Sequence, residues 1–237
     1  MLLLSDLFDT LAFGELSGIK LGSAGEIVEA NYPKIVSHIN LGLLELYKRF
    51  NIKRDELTIY QHADTTQYNL KSEHLGAVAD MAADVYILED EDNPFADDLI
   101  KVLEVYDEDE DQLPLNDKND STSVFTPSPD ILKMTPASPV ETVSVLYKAS
   151  HPKIVIIDNF DPDVYELEMP EFLQEALLFY VAARAFSGIK TGGVDTAKNP
   201  TYALLTQYET ACHKIQMFNL EPEVNDTQTG FENNGWA

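Results

Sequence analysis

The residues of this chain best suited to chemistry are its carboxylates. Between positions 84 and 120 there are 15 acidic side chains against two lysines, a local charge of −13. The runs at 89–92 (EDED) and 107–111 (DEDED) crowd carboxylate oxygens together, as a hard cation such as Ca²⁺ or Mg²⁺ requires. An EF-hand loop, however, needs glycine at its sixth position and glutamate at its twelfth. Counted from Asp107, those positions hold Gln112 and Lys118. The runs therefore read as solvated acidic loops, with a loosely held divalent cation as the sharper alternative. The five histidines (His38, His62, His74, His151 and His213) show no metal-ligand spacing, and no cysteine pair accompanies them. His38 falls two positions after an apolar-stripe residue and reads as part of a helix face rather than as a base. Gly188, Gly192 and Gly193 match no phosphate-loop pattern and follow no strand. There is no G-x-S-x-G elbow, and Cys212 sits on a predicted helix stripe with no neighbour to depress its pKa. Carboxylates are so numerous that pairing any two as acid and base is arbitrary. No catalytic, cofactor-binding or metal-ligating residue is assigned, and the chain is read as a non-enzyme.

If the side chains do no chemistry, the elements that carry them become the informative part. Ser5 is expected to cap a short helix with Leu7, Phe8 and Leu11 on one face, ending near Gly14. A loop punctuated by Gly18, Gly22 and Gly25 follows. Spacing then predicts a helix over 33–50, with Pro33 in its first turn and Ile35, Val36, Ile39, Leu43, Leu46, Tyr47 and Phe50 on one stripe. Leu41 and Leu44 are expected to widen that stripe. Gly42 inside the helix costs about 1 kcal/mol relative to alanine and marks a close approach by a neighbouring backbone. At the other end, a helix over 170–187 carries Leu173, Ala176, Leu177, Tyr180 and Val181 on its stripe, with Phe172, Phe179 and Phe186 elsewhere and Gly188 as C-cap. After a loop over 189–198, Asn199-Pro200 opens a last helix with the stripe Leu205, Tyr208, Cys212 and Ile215, beside Leu204, Ala211 and Phe218.

Between these blocks the period changes to that of strands. Residues 57–62 read as a strand and 65–70 as its hairpin partner, while 73–83 is weakly helix-compatible. Further strands are expected at 85–88, 99–106, 124–125, 131–134, 142–148 and 154–157, broken by prolines at 114, 127, 129, 136, 139 and 152. An amphipathic helix must bury its stripe, and the simplest partner for the N-terminal helix is the C-terminal pair. The expected fold class is α+β: a bundle of N-terminal (1–55) and C-terminal (166–219) helices, an inserted β-rich small sandwich or barrel (56–165), and an extended arm (220–237). Ile35, Ile39, Leu43, Leu46, Leu177, Tyr180, Leu205 and Tyr208 are assigned to bundle packing. The arm lacks periodicity but carries Phe231 and the single tryptophan, Trp236, which suit a docking peptide because large rings supply much contact area per ordered residue.

Composition sets limits on partners. With 41 acidic and 16 basic residues in 237, the formal charge is −25, which repels nucleic acids and anionic membranes. The local patch Lys48, Arg49, Lys53 and Arg54 reads as a solvated helix end. A single cysteine permits no intrachain disulfide, the N-terminus lacks a basic signal-peptide region, and the longest apolar run, 176–183, is too short to span a bilayer. A soluble, unexported chain is expected.

Four ordered blocks carry a resemblance. DLFDTLAFGELSG, YPKIVSHINLGLLELYKRFNIKRDELTI, DNPFADDLIKVLEVYDEDEDQLPLND and MPEFLQEALLFYVAARAFSG, spread between about residue 5 and residue 218, resemble the head-to-tail adaptors of short-tailed bacteriophages. These are also called connectors, gatekeepers or tail tubular protein A. The resemblance implies a virion component without enzymatic activity or cofactor. It forms a ring of about twelve copies beneath the portal protein and extends the channel used in genome packaging and DNA ejection. It also implies a platform for the tail nozzle and often a tail fibre, assembly in the host cytoplasm, and a C-terminal segment reaching the portal. Here that segment would be the arm with Phe231 and Trp236. The strong acidity departs from the family. Two other classes stay open: an acidic DNA mimic, which needs carboxylates spaced like phosphates, and a divalent-metal hydrolase, which needs them fixed around one pocket.

Overall fold

The computed structural model describes residues 2–17, 26–90, 94–136, 141–187, 200–218 and 220. Among them are α1 (Leu4–Phe13), α2 (Tyr32–Arg49), α3 (Gln174–Ser187) and α4 (Pro200–Met217). The strands are β1 (Leu2–Leu3), β2 (Arg54–Tyr60), β3 (Gln67–Asn69), β4 (Leu75–Gly76), β5 (Ile87–Leu88), β6 (Leu99–Tyr106), β7 (Phe125–Ser128), β8 (Ile131–Lys133), β9 (Thr142–Ala149) and β10 (Glu166–Leu167). The protein is mixed α+β with several sheets. Its chain divides into two compact units: Met1–Gly42, Phe50–Ile52 and Ile156–Ala237 form the first, and Leu43–Arg49 with Lys53–Val155 form the second.

The first unit is mainly helical. α1 buries Leu4, Leu7, Phe8 and Leu11, whose spacing puts them on one face. Ser5 is not its cap. The helix begins at Leu4, and two of its free N–H groups, those of Leu4 and Ser5, donate to the carbonyls of Tyr165 and Pro162 (2.9 and 3.2 Å). Backbone thus fills the role predicted for a serine side chain. The same stretch is held by the β1–β10 pair, Leu2 opposite Leu167. In α2 the stripe Ile35, Val36, Ile39, Leu43, Leu46, Tyr47 is buried, as is Phe50 just beyond it, and Leu44 is partly covered. Leu41 corrects the expectation of a wider stripe, because it is 37% exposed. A turn of 3₁₀ helix (Glu171–Leu173) leads into α3, which buries Ala176, Leu177, Leu178, Val181, Ala182, Ala183 and Ala185. Small residues on α3 let its neighbours come close, and it packs against both α1 and α4.

The second unit holds a five-stranded sheet in the order β4-β5-β2-β9-β6 and a three-stranded sheet in the order β3-β8-β7. β2 and β9 run antiparallel through seven residue pairs, with Leu57 opposite Val145 and Ile59 opposite Val143. Alternation turns these residues inward, where they join Tyr68, Leu132 and Met134 from the smaller sheet's segments in one apolar cluster. Val102 and Val105 of β6 are three apart yet both buried. A register shift between Val102 and Glu104 resets the phase of the strand.

Three expectations are corrected in this unit and at its C-terminal boundary. Residues 65–70 do not return on β2, since β2 is flanked by β5 and β9, and β3 pairs with β8 instead. β9 offers β2 a longer apolar-alternating partner than three residues can. Residues 73–83 form no α-helix but two 3₁₀ turns (Ser72–His74 and Val78–Asp80) on either side of β4. Glycine suits position 76, because a Cβ there would run into the Val85 side chain. Residues 154–157 form no strand; Ile154 is buried while Val155 and Ile157 face outward without a neighbouring strand. The glycine loop through Gly18, Gly22 and Gly25, the cap and loop at 188–199, and the arm at 221–237 with Phe231 and Trp236 lie outside the described residues.

Candidate functional site

The residues assigned to bundle packing are placed as follows. Ile35, Ile39, Leu43, Leu46 and Leu177 are fully or almost fully buried. Leu43 and Leu46 fall in the α2 segment counted with the second unit. At Gly42, α2 lies against α3: a Cβ there would meet Leu177 Cδ1 at 2.6 Å and Tyr180 Cδ1 at 3.0 Å. The close approach expected at Gly42 is thus made by side chains rather than by backbone. Tyr180 and Tyr208 stack edge to face with ring centroids 5.4 Å apart. Leu205 is corrected: it is 36% exposed, and the buried stripe of α4 is Tyr208, Ala211, Cys212 and Ile215. Phe218, expected beside that stripe, is 71% exposed. The weak contrast between the faces of α4 made its phase hard to read from sequence.

The chemistry-bearing residues do not converge. The histidines are scattered over α2 (His38), the loop after β2 (His62), a 3₁₀ turn (His74), the segment after β9 (His151) and α4 (His213). Among the described residues, no three His, Cys, Asp or Glu side chains gather where they would hold a metal ion. His74 is stacked on Tyr86 at 4.6 Å, and its Nδ1 lies 2.8 Å from the Asp84 carbonyl. Both ring nitrogens of His38 are buried without a hydrogen-bond partner. Burial first, then the positive charges of Arg184 and Lys34, hold its pKa below the ordinary histidine value.

The acidic loops use their carboxylates locally. Asp107 Oδ1 accepts the N–H groups of Asp109 and Asp111 (3.1 and 2.9 Å), closing a turn in which Glu110 has a φ of 65°. Asp120 Oδ1 accepts both the N–H and the hydroxyl of Thr122, which hold its carboxyl below the usual range. Of the 89–92 run, only Glu89 and Asp90 are described. The basic patch is partly neutralised by Lys48–Glu45 at 3.1 Å and Lys53–Asp55 at 3.8 Å.

Two further polar arrangements lie in the second unit. Lys148, almost fully buried in β9, donates from Nζ to the Lys48 carbonyl (2.9 Å) in the last turn of α2, placing a cation where the helix leaves its carbonyls free. Tyr147 donates its hydroxyl to Asp98 Oδ1 at 3.2 Å. Burial raises the Asp98 pKa, and burial with the Asp98 charge pushes the Tyr147 phenol far up. Their separation of 49 residues leaves no sequence signal.

The helical unit offers apolar surface. Tyr202 (56%), Met217 (70%) and Phe218 stand exposed on or just beyond α4, and Phe13 at the end of α1. Large exposed side chains of this kind mark sites of association when they are contiguous. No model of a known protein family matches the chain, and no curated protein matches it either.

Proposed function

We propose that this chain is a head-to-tail adaptor of a short-tailed bacteriophage: a structural virion protein that forms a ring of about twelve copies at the head-tail junction. In this reading the N- and C-terminal helices make one bundle, the β-rich segment is an insertion, and the arm at 221–237 reaches the portal protein. The ring lengthens the DNA channel and seats the tail nozzle and, in some phages, a fibre.

The observation that carries the proposal is the meeting of its two most family-like blocks. Gly42, in INLGLLELYKRF, lies against Leu177 and Tyr180, in MPEFLQEALLFYVAARAFSG. Segments about 135 residues apart that resemble one family also pack together, as a common bundle requires. The exposed apolar residues of α4 suit burial between copies. A charge of −25 per copy suits a conduit, because like-charged walls repel phosphates and let DNA pass without sticking. The same charge opposes assembly of free subunits, so the portal acts as template or cations screen the repulsion.

Binding to the portal tests the arm's role. Replacing Phe231 and Trp236 by alanine is expected to weaken co-sedimentation with the purified portal protein at least about tenfold, as the loss of two aromatic anchors would. Unchanged binding by the double variant would remove those residues from the interface.

A further inference from the structure

The helical unit also contains a row of aromatic rings that packing within a bundle does not account for. Phe8 of α1 lies 5.0 Å from Tyr32, the first residue of α2; Tyr32 lies 6.4 Å from Phe160, and Phe160 lies 6.1 Å from Tyr165. Phe8 is buried, whereas Tyr32, Phe160 and Tyr165 are half-buried, so the row runs from the core to the surface. The strand-side half is held in place because the carbonyls of Pro162 and Tyr165 accept the first N–H groups of α1. This is a fixed shelf and not a loose loop.

The rim of the shelf has one sign of charge. Glu26, Glu29, Asp161 and Asp163 are exposed, and these four carboxylates, after burial, are the groups that raise the Tyr32 pKa. Asp161 also accepts the N–H of Asp163 at 2.9 Å, which fixes the two carboxylates relative to each other. Within the described residues none of the four forms an ion pair, and the Tyr32 hydroxyl makes no hydrogen bond. Half-exposed aromatic rings beside carboxylates that form no ion pair among the described residues suit a cation that is planar, weakly hydrated and rich in donors. That describes a guanidinium, which stacks on a ring and forks onto carboxylates at once, better than it describes an ammonium. A second copy of the chain would bring another −25 to this surface, and nucleic acid or an anionic membrane would be repelled.

We propose that the shelf formed by Tyr32 and Phe160, rimmed by Glu29, Asp161 and Asp163, docks an arginine-bearing segment of a partner protein. The guanidinium lies on the rings and donates to the rim carboxylates. The inference does not depend on the adaptor assignment, since it follows from the rings and charges alone.

The test is calorimetric titration of the full chain with the blocked peptide acetyl-Gly-Arg-Arg-Gly-amide in low-salt buffer. Asp161→Asn with Asp163→Asn is expected to weaken binding about fivefold, as the loss of two exposed charge pairs gives. Tyr32→Leu is expected to weaken it about threefold through the lost cation–π contact. Asp109→Asn with Glu110→Gln changes net charge equally, in an exposed loop of the second unit, and is expected to change affinity less than about twofold. Equal weakening by the two charge pairs would show that bulk charge alone attracts the peptide and would overturn the proposal. So would failure of the unaltered protein to bind it. The asparagine pair lies on exposed positions, so the test stands even if Tyr32→Leu fails to fold.

Discussion

Replacing Gly42 by alanine sets two well-defined effects against each other. An alanine inside a helix stabilises by about 1 kcal/mol relative to glycine, through lost unfolded-state entropy. Against this, the new methyl would sit 2.6 Å from Leu177 Cδ1 and 3.0 Å from Tyr180 Cδ1. Neither neighbour yields easily: Leu177 is fully buried, and the Tyr180 ring is engaged by Tyr208 at 5.4 Å. Overpacking of this kind costs about 1–3 kcal/mol, so the expected net effect is a destabilisation of about 1 kcal/mol. Urea unfolding followed by far-UV circular dichroism measures it, with the slope checked for constancy. A cycle with Leu177→Ala sharpens the result. That truncation alone opens a cavity and costs about 2–5 kcal/mol. In the Gly42→Ala background the methyl occupies part of the cavity, so the double variant should be more stable than the sum of singles by about 1–2 kcal/mol. If Gly42→Ala is instead stabilising by the full helix-propensity gain and the two changes add, α2 and α3 do not approach at this point.

Three further outcomes follow from the same structure. Burial first, then Arg184 and Lys34, hold the His38 pKa in the fold below the ordinary value of about 6.5, so the unfolded state binds more protons as the pH drops through that value and stability falls. The stability difference between the unaltered protein and His38→Leu should therefore move against the former between about pH 7 and pH 5; a difference constant with pH would contradict this. Tyr147→Phe removes the donor to the half-buried Asp98 carboxylate and should cost about 1–2 kcal/mol in urea unfolding, whereas no loss would mean that water already serves that carboxylate. Assembly of the isolated chain, followed by analytical ultracentrifugation, should require salt or divalent cations, because each copy carries −25; rings formed readily in low salt without divalent ions would count against charge as the brake.

Helices proved more legible in the sequence than strand partners. In α2 the stripe from Ile35 to Tyr47 has wide contrast between faces, and each of its residues is buried where the 3.6-residue period puts it. α4 has apolar residues on both sides, so the period puts Leu205 with Tyr208, Cys212 and Ile215, whereas the buried stripe is Tyr208, Ala211, Cys212 and Ile215. β6 and β9 were legible as strands from their residue types. That β9 rather than residues 67–69 lies beside β2 was not, since pairing is decided by long-range fit of faces and not by local propensity. The helix start at Leu4 escaped for a related reason: its partners are the carbonyls of residues 162 and 165, far along the chain. The aromatic shelf was hidden likewise, because Phe8, Tyr32, Phe160 and Tyr165 come from three separate segments.

The proposed adaptor role is tested most directly by the mass and shape of the chain in solution, with and without a portal protein of a short-tailed phage, by light scattering and negative-stain imaging. An adaptor gives a closed ring of about twelve copies, either alone or once the portal is added. A monomer that stays a monomer in the presence of the portal would contradict the assignment and leave an acidic binding protein in its place.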